Sequence, residues 1–145
     1  MKRSLLSAAL LFCLVSGGAA LAAPPVAPDA RRAQAAPGEA VAAYRLALKL
    51  RNGDGMPADP GRAVAQLTVA AEGGVPAAMF LLSNMLAAGE GAPRDGAAAR
   101  RWLETAAELE YPEALQQLAL LEPDPRKAEL LMRQAAHAMT HRARD

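Results

Sequence analysis

Residues 78–108 read AMFLLSNMLAAGEGAPRDGAAARRWLETAAE, and this stretch decides the fold. It contains an apolar segment, a glycine loop over 89–95 and an alanine-rich segment with Trp102. The same pattern stands 36 positions earlier, over residues 42–72. The matched pairs are Gly89 and Gly53, Gly91 and Gly55, Pro93 and Pro57, Asp95 and Asp59, Phe80 and Tyr44, and Ala106-Ala107 and Ala70-Ala71. A period in the thirties with two helical segments per unit is typical of a helical repeat array.

The pattern predicts an all-α chain of six helices. The first should cover 39–51 and the fourth 96–109. The helices between and after them should begin at prolines, since proline suits the first turn of a helix, where its missing N–H is not needed. These prolines are Pro60, Pro76, Pro112 and Pro125. Three aspartates, each at the start of a second helix, should cap the free amides of that helix. They are Asp59, Asp95 and Asp124.

The third unit departs from the other two. Its glycine loop is missing, and Glu122-Pro123 leads directly to Asp124-Pro125. The second helix then returns 29 positions after its counterpart, so that Ala135-Ala136 matches Ala106-Ala107. We interpret this as a terminal unit whose loop has lost seven residues, because end units of arrays are commonly atypical.

The N-terminus has the features of an export signal. A basic start is followed by the apolar stretch 5–15 and by the small-residue pattern Ala20-Leu21-Ala22, which predicts a signal peptide over 1–22, cut after Ala22. An uncleaved anchor remains an alternative, although the apolar stretch is short for a span of about 20 residues. Lipidation at Cys13 is disfavoured by the bulky Phe12 before it. The rest should divide into a Pro/Ala-rich linker (23–38), a helical repeat domain (39–141) and a tail (142–145).

Cleavage would change the composition in two ways. It removes Lys2 and Arg3 and leaves 14 basic residues against 15 acidic ones, a net charge of −1 that does not favour nucleic acid. It also removes Cys13, which is the only cysteine. The mature chain could then form no internal disulfide and would depend on helix packing.

Taken together, these features resemble the Sel-one-like repeat family, a relative of the tetratricopeptide repeats. The residues that carry the resemblance in the middle unit are Ala78, Phe80, Leu82, Gly89, Gly91, Pro93, Asp95, Ala99, Trp102, Ala106 and Ala107. The resemblance implies a right-handed superhelix of antiparallel helix pairs that serves as an adaptor. Some exported members resemble enzymes or bind cell-wall components, but those are typically rich in cysteine. The sequence departs from the family pattern at Gln66, Ala92, Glu110 and Leu131.

Four groups of residues invite a chemical interpretation. Trp102 could stack on a ligand, but its spacing from Ala99 and Ala106 places it on the packed stripe of its helix. The pair His137 and His141 lacks the third ligand that a zinc site needs, and a histidine near a helix C-terminus is already favoured by the helix dipole.

The two glycine loops tempt a calcium interpretation through Asp54 and Glu90, but neither loop has the alternating acids of an EF-hand. The aspartate caps lie in separate units and should not meet as a carboxylate pair. We therefore expect no enzyme activity, no cofactor and no metal.

What remains is surface for binding. Superposed units align Arg45, Leu81 and Gln117 in one column of the first helices, with Val41, Ala77 and Glu113 beside it. First helices usually line the concave side of such arrays, so these columns are the predicted partner surface. We expect an exported, periplasmic or secreted scaffold for a protein or peptide. The alternatives are a small regulatory or binding subunit for a peptidoglycan enzyme and a self-associating piece, in which a homodimer covers an open end.

Overall fold

The computed structural model describes residues 37–143, and within that range the chain forms six α-helices and no strand. The helices are α1 (Pro37–Asn52), α2 (Pro60–Glu72), α3 (Pro76–Ala88), α4 (Gly96–Glu108), α5 (Pro112–Leu121) and α6 (Pro125–Arg142). The all-α prediction is confirmed. The predicted signal peptide (1–22), linker residues 23–36 and the last two residues of the tail lie outside the described range.

The helices form three pairs that stack as a repeat solenoid. α1 packs on α2, α3 on α4 and α5 on α6, while α2–α3 and α4–α5 contacts join successive pairs. A bidentate ion pair between Glu113, at the start of α5, and Arg142, at the end of α6, shows the antiparallel direction within the third pair. None of the helices in 37–143 combines the length and apolarity needed to cross a bilayer.

The second helix of each pair starts at an aspartate cap. The carboxylates of Asp59, Asp95 and Asp124 accept hydrogen bonds from backbone amides at 2.9, 2.8 and 2.9 Å. Each bond satisfies one of the amides that a helix N-terminus leaves without an intrahelical partner. An aspartate N-cap therefore begins α2, α4 and α6, which are the second helices of the three repeats.

Small side chains dominate the core. Alanines from successive second helices, including Ala70 and Ala106, are fully buried, and Leu67 and Leu82 fill the space between helices. Because alanine adds little beyond the backbone radius, it lets neighbouring helices approach closely. Half-buried aromatic residues surround this core: Tyr44, Phe80, Trp102 and Tyr111. Tyr44 and Phe80 therefore share a setting, as their matched repeat positions require, and Trp102 packs against the same core, on the stripe where its spacing placed it.

The shortened third unit corrects one detail of the sequence interpretation. The loop has lost four residues rather than seven, because 122–124 replaces a loop the length of 89–95. The remaining three are missing from the first helix, since α5 has 10 residues where α3 has 13. The residue before a proline is disfavoured in the helical conformation, so Pro123 ends α5 early.

Both ends of the repeat domain extend slightly beyond the predicted bounds of 39–141. α1 begins at Pro37, inside the predicted linker, because proline is well suited to the first helical turn. α6 continues through Arg142, the first residue of the predicted tail. The guanidinium of Arg142 binds the carboxylate of Glu113, and this contact holds the last turn in place.

Candidate functional site

The three residues of the predicted partner surface do not share one environment. Arg45 is exposed on α1, whereas Leu81 and Gln117 are half-buried, and Leu81 packs against the core. The Gln117 side-chain amide donates to Asn84 Oδ1 at 3.0 Å and thereby joins α5 to α3. In the adjacent column, Glu113 is engaged by Arg142. One contact between units therefore occupies Gln117, and one contact within the third unit occupies Glu113.

A groove of about 670 Å³ lies elsewhere, between α4 and α6 with α5 beneath. Apolar side chains form its floor: Ala107, Leu115, Leu118 and Leu131. Charged and polar side chains surround them: Arg100, Glu104, Glu108, Glu110, Glu122, Lys127, Arg133, Gln134 and His137. The volume falls within the range of about 300–1,000 Å³ that is usual for binding pockets. None of the predicted column residues lines this groove.

The short third unit explains where the groove opens. In the second unit the glycine loop reaches the start of α2, and a Cβ built on Gly91 would lie 2.2 Å from the carbonyl oxygen of Pro60. The third unit has no glycine loop to make the matching contact with the start of α4. Glu122 and Lys127 stand there instead, paired at 2.7 Å, and line one end of the groove.

The charges around the groove are unevenly paired. Arg100 binds Glu104 at 2.8 Å, and Lys127 donates to Glu122, a hydrogen bond that lowers the pKa of that carboxyl. Within the described part of the chain, Glu108 and Glu110 take part in no ion pair. One end of the rim therefore presents two uncompensated carboxylates beside apolar side chains.

Glu110 is also the one described non-glycine residue with a left-handed backbone, at φ 55°. The matched position in the first unit is Gly74, at φ 84°, where glycine adopts this conformation without strain. A side chain in the left-handed region costs roughly 1–2 kcal/mol. Strained residues often mark functional sites. At this position the chain carries a strained glutamate, whose side chain lines the groove, instead of an unstrained glycine, which would have no side chain there.

The other candidate residues have structural partners. The side chain of Glu90 accepts from Arg51 at 3.1 Å and links the loop of the second unit to α1, and Asp54 accepts from Asn52. The facing Nε2 atoms of His137 and His141 lie 3.2 Å apart. Across residues 37–143, no three histidine, cysteine or acidic side chains are grouped so as to hold a metal ion.

The remaining shifted pKa values belong to one contact at the end of α6. Arg142 hydrogen-bonds Glu113 and lowers the pKa of that carboxyl, and its guanidinium lies 5.0 Å from the ring centre of Tyr111. Burial, aided by the negative charge of Glu113, raises the pKa of the Tyr111 hydroxyl. Arg142, Glu113 and Tyr111 thus join the end of α6 to the start of α5, and none of them lines the groove.

The match to known proteins follows the same units. The model of the Sel1 repeat matches residues 40–75, 76–111 and 114–138. The chain belongs to the Sel1 repeat family. Its third match is the short one, in agreement with the reduced loop and α5. Sel1 repeat proteins typically act as non-catalytic scaffolds for protein–protein interaction.

Two solved structures show the same fold. A Sel1 repeat protein from Oxalobacter formigenes is 25% identical, with a TM-score of 0.66 over 68% of this chain and 43% of that one. A protective antigen present in uropathogenic Escherichia coli strains, displaying an SLR fold, is 30% identical, with a TM-score of 0.64 over 69% and 23%. The Sel1 repeat chain thus spans less than half the length of either structure. No curated protein matches it.

The sequence predicts the repeats but not the groove. The groove depends on the distance between α4 and α6, which no single residue encodes. Two signals pointed to it nevertheless: the missing loop of the third unit, and Glu110 at a position where the family prefers glycine. The sequence alone indicates an atypical end unit and a departure from the family pattern, whereas the structure places Glu110 and the shortened connection at Glu122 along the groove.

Proposed function

We propose that this protein is an exported, non-catalytic scaffold that holds a segment of a partner protein in the groove between α4 and α6. The observation that carries the proposal is an apolar floor of Leu115, Leu118 and Leu131 beside the carboxylates of Glu108 and Glu110, which form no ion pair with any residue in 37–143. The typical role of Sel1 repeats as interaction scaffolds supports it.

The chemistry of the groove specifies the partner segment. The leucines of the groove floor favour a segment that packs apolar side chains against them, since burying one such side chain contributes about 1.5–3 kcal/mol to binding. Glu108 and Glu110 favour lysine or arginine at the flank of that segment, because a charge-assisted hydrogen bond is stronger than a neutral one. A peptide or helix with one apolar face and a basic edge satisfies both requirements.

A charge reversal tests the groove directly. Glu108→Lys changes an exposed rim residue and should leave the fold intact. We expect it to reduce recovery of the native partner at least tenfold in affinity purification from the organism's own envelope fraction. Glu72→Lys is the matched control, because Glu72 holds the same repeat position one unit earlier. Equal recovery with both variants would contradict binding in the groove.

Export is the second part of the proposal and is tested separately. The basic start, the apolar stretch 5–15 and the Ala20-Leu21-Ala22 pattern support a cleaved leader. We expect N-terminal sequencing of the protein recovered from the periplasm or the medium to begin at Ala23. A chain that remains in the cytoplasm and begins at Met1 would contradict export but would leave the groove untouched.

The cell-wall alternative differs in what is bound. A regulatory or binding subunit of a peptidoglycan enzyme should sediment with isolated peptidoglycan. A protein scaffold should remain soluble in that assay and should co-purify with its partner alone. Binding to purified peptidoglycan that is insensitive to Glu108→Lys would favour the alternative.

A further inference from the structure

The C-terminal end of the solenoid exposes an apolar face where repeat arrays usually present a polar one. Leu120 on α5 is 77% exposed, and Met132 and Met139 on α6 are 41% and 42% exposed. The side chain of Gln116 lies 3.7 Å from the sulfur of Met139, which places α5 and α6 side by side on this face. We call these residues, together with the exposed Ala136, the end face.

Repeat positions identify the end face as an unfilled unit boundary. Met132 matches Leu67 and Leu103, which are only 0% and 3% exposed. Leu120 matches Asn84, and Asn84 accepts a hydrogen bond from Gln117 of the next unit. The position of Met132 is thus buried in units one and two, the position of Leu120 bonds to the next unit in unit two, and both face solvent in unit three.

From these matches we propose that a second copy of this chain covers the end face, in a two-fold dimer that brings the two α6 helices together in antiparallel orientation. Met132, Ala136 and Met139 lie at helical spacing, with the small residue in the middle. When such a stripe meets itself about a two-fold axis, each Met132 faces Met139 of the other copy, and the alanines let the helices approach closely. This is the self-complementarity that an isologous contact requires.

Head-to-tail stacking is disfavoured by charge. The N-terminal end of the solenoid presents Arg45 and Lys49, both exposed, at positions that match Leu81 and Met85 in the second unit. Stacking that end onto Leu120 and Met132 would bury two cations against apolar side chains. Within the described chain the end face offers no unpaired carboxylate to receive them, so the desolvation penalty would be uncompensated.

The size of the end face sets the strength of the dimer. At 1.5 Å per residue, α5 and α6 are about 15 and 27 Å long, and with a width of about 10 Å they present roughly 400 Å² per copy. Stable interfaces bury about 800 Å² per partner. We therefore expect a weak dimer that dissociates on dilution into the low micromolar range.

Sedimentation velocity over a concentration series tests the dimer. The wild-type chain should shift from monomer to dimer, and Met132→Glu should remain a monomer at every concentration. Leu130→Glu is the control, because Leu130 is also exposed, at 54% against 41% for Met132, and lies on a different side of α6. A wild type that remains monomeric, continuous growth beyond the dimer, or equal loss with both variants would overturn the proposal.

Disulfide trapping tests the two-fold geometry. In a Cys13→Ser background the chain has no other thiol. A disulfide needs Cα atoms about 4.4–6.8 Å apart. Oxidation should therefore link Ala136→Cys into a covalent dimer and leave Leu130→Cys a monomer. Equal trapping at both positions, or none at position 136, would contradict the antiparallel α6 contact. Glu108→Lys, on the groove side, should not affect trapping, which separates this proposal from the proposed function.

Discussion

At the scale of single residues, two glycines at the same repeat position have unequal neighbours. Gly55 and Gly91 are both left-handed, at φ 74° and 75°. A side chain on Gly55 would meet open space, whereas a Cβ on Gly91 would lie 2.2 Å from the carbonyl oxygen of Pro60. The second-unit loop thus lies directly against the start of α2, and only a residue without a Cβ fits.

Substituting these two glycines separates the energetic cost of a left-handed side chain from the cost of a clash between units. We expect Gly55→Ala to lower the free energy of unfolding by about 1–2 kcal/mol, the cost of a left-handed alanine. Gly91→Ala should cost about 1–3 kcal/mol more, because the backbone of α2 must move away. Urea denaturation of both variants measures the difference. Equal losses would mean that the loop of unit two does not press on unit one.

Glu110 offers the opposite experiment at a strained residue. Glu110→Gly removes a left-handed side chain and should raise the free energy of unfolding by about 1 kcal/mol. It also removes a rim carboxylate, so partner binding should weaken while stability rises. Thermal melts and the affinity purification above measure the two effects. A variant that binds normally would show that the Glu110 carboxylate makes no contact with the partner.

At the scale of elements, the last helix is held by a charged contact. Arg142 binds both carboxylate oxygens of Glu113 at 2.9 Å and covers the Tyr111 ring. The contact joins the end of α6 to the start of α5, which is the arrangement that the groove and the end face both depend on. About half of each charged side chain remains exposed, so the pair should contribute less than about 1 kcal/mol.

The lowered pKa of Glu113 predicts how this contact responds to acid. A carboxyl whose pKa is lower in the folded state stabilises above its unfolded value, 4.5, and loses that contribution as the pH falls through the folded value. The loss therefore occurs below pH 4.5. We expect Glu113→Gln to flatten the pH dependence of stability in this range by less than about 1 kcal/mol. Melts at pH 3 and pH 6 measure it, with Glu72→Gln as the control. An unchanged slope would contradict the ion pair.

How far the sequence predicted the structure depends on how local the cause was. Asp59, Asp95 and Asp124 specify helix starts through their own carboxylates, so the sequence alone predicts where α2, α4 and α6 begin. Pro123 also acts locally, because it ends α5 early. The sequence shows that seven residues are missing from the third unit, but it does not show how many belong to the loop and how many to the helix. The pairing of Gln117 with Asn84 was not readable, since it depends on how two units are superposed in space.

At the scale of the whole molecule, the array is two regular units and one reduced unit. The regular boundaries bury Leu67 and Leu103, while the reduced unit leaves an apolar groove on one side of α6 and the end face on another. Both features arise where the repeat pattern breaks. The groove follows from the missing loop, and the end face consists of positions in unit three that are buried or bonded to a neighbouring unit in the earlier repeats.

The central claim is that a partner segment lies in the groove between α4 and α6. Site-specific photo-crosslinking in the native organism tests it most directly, with the crosslinker at Gln134 on the groove rim or at Ala65, an exposed residue on α2. We expect one protein to be captured from position 134, not from position 65, and to be lost when Glu108→Lys is added. Capture of the same protein with equal yield from both positions, or of none from position 134, would contradict the claim.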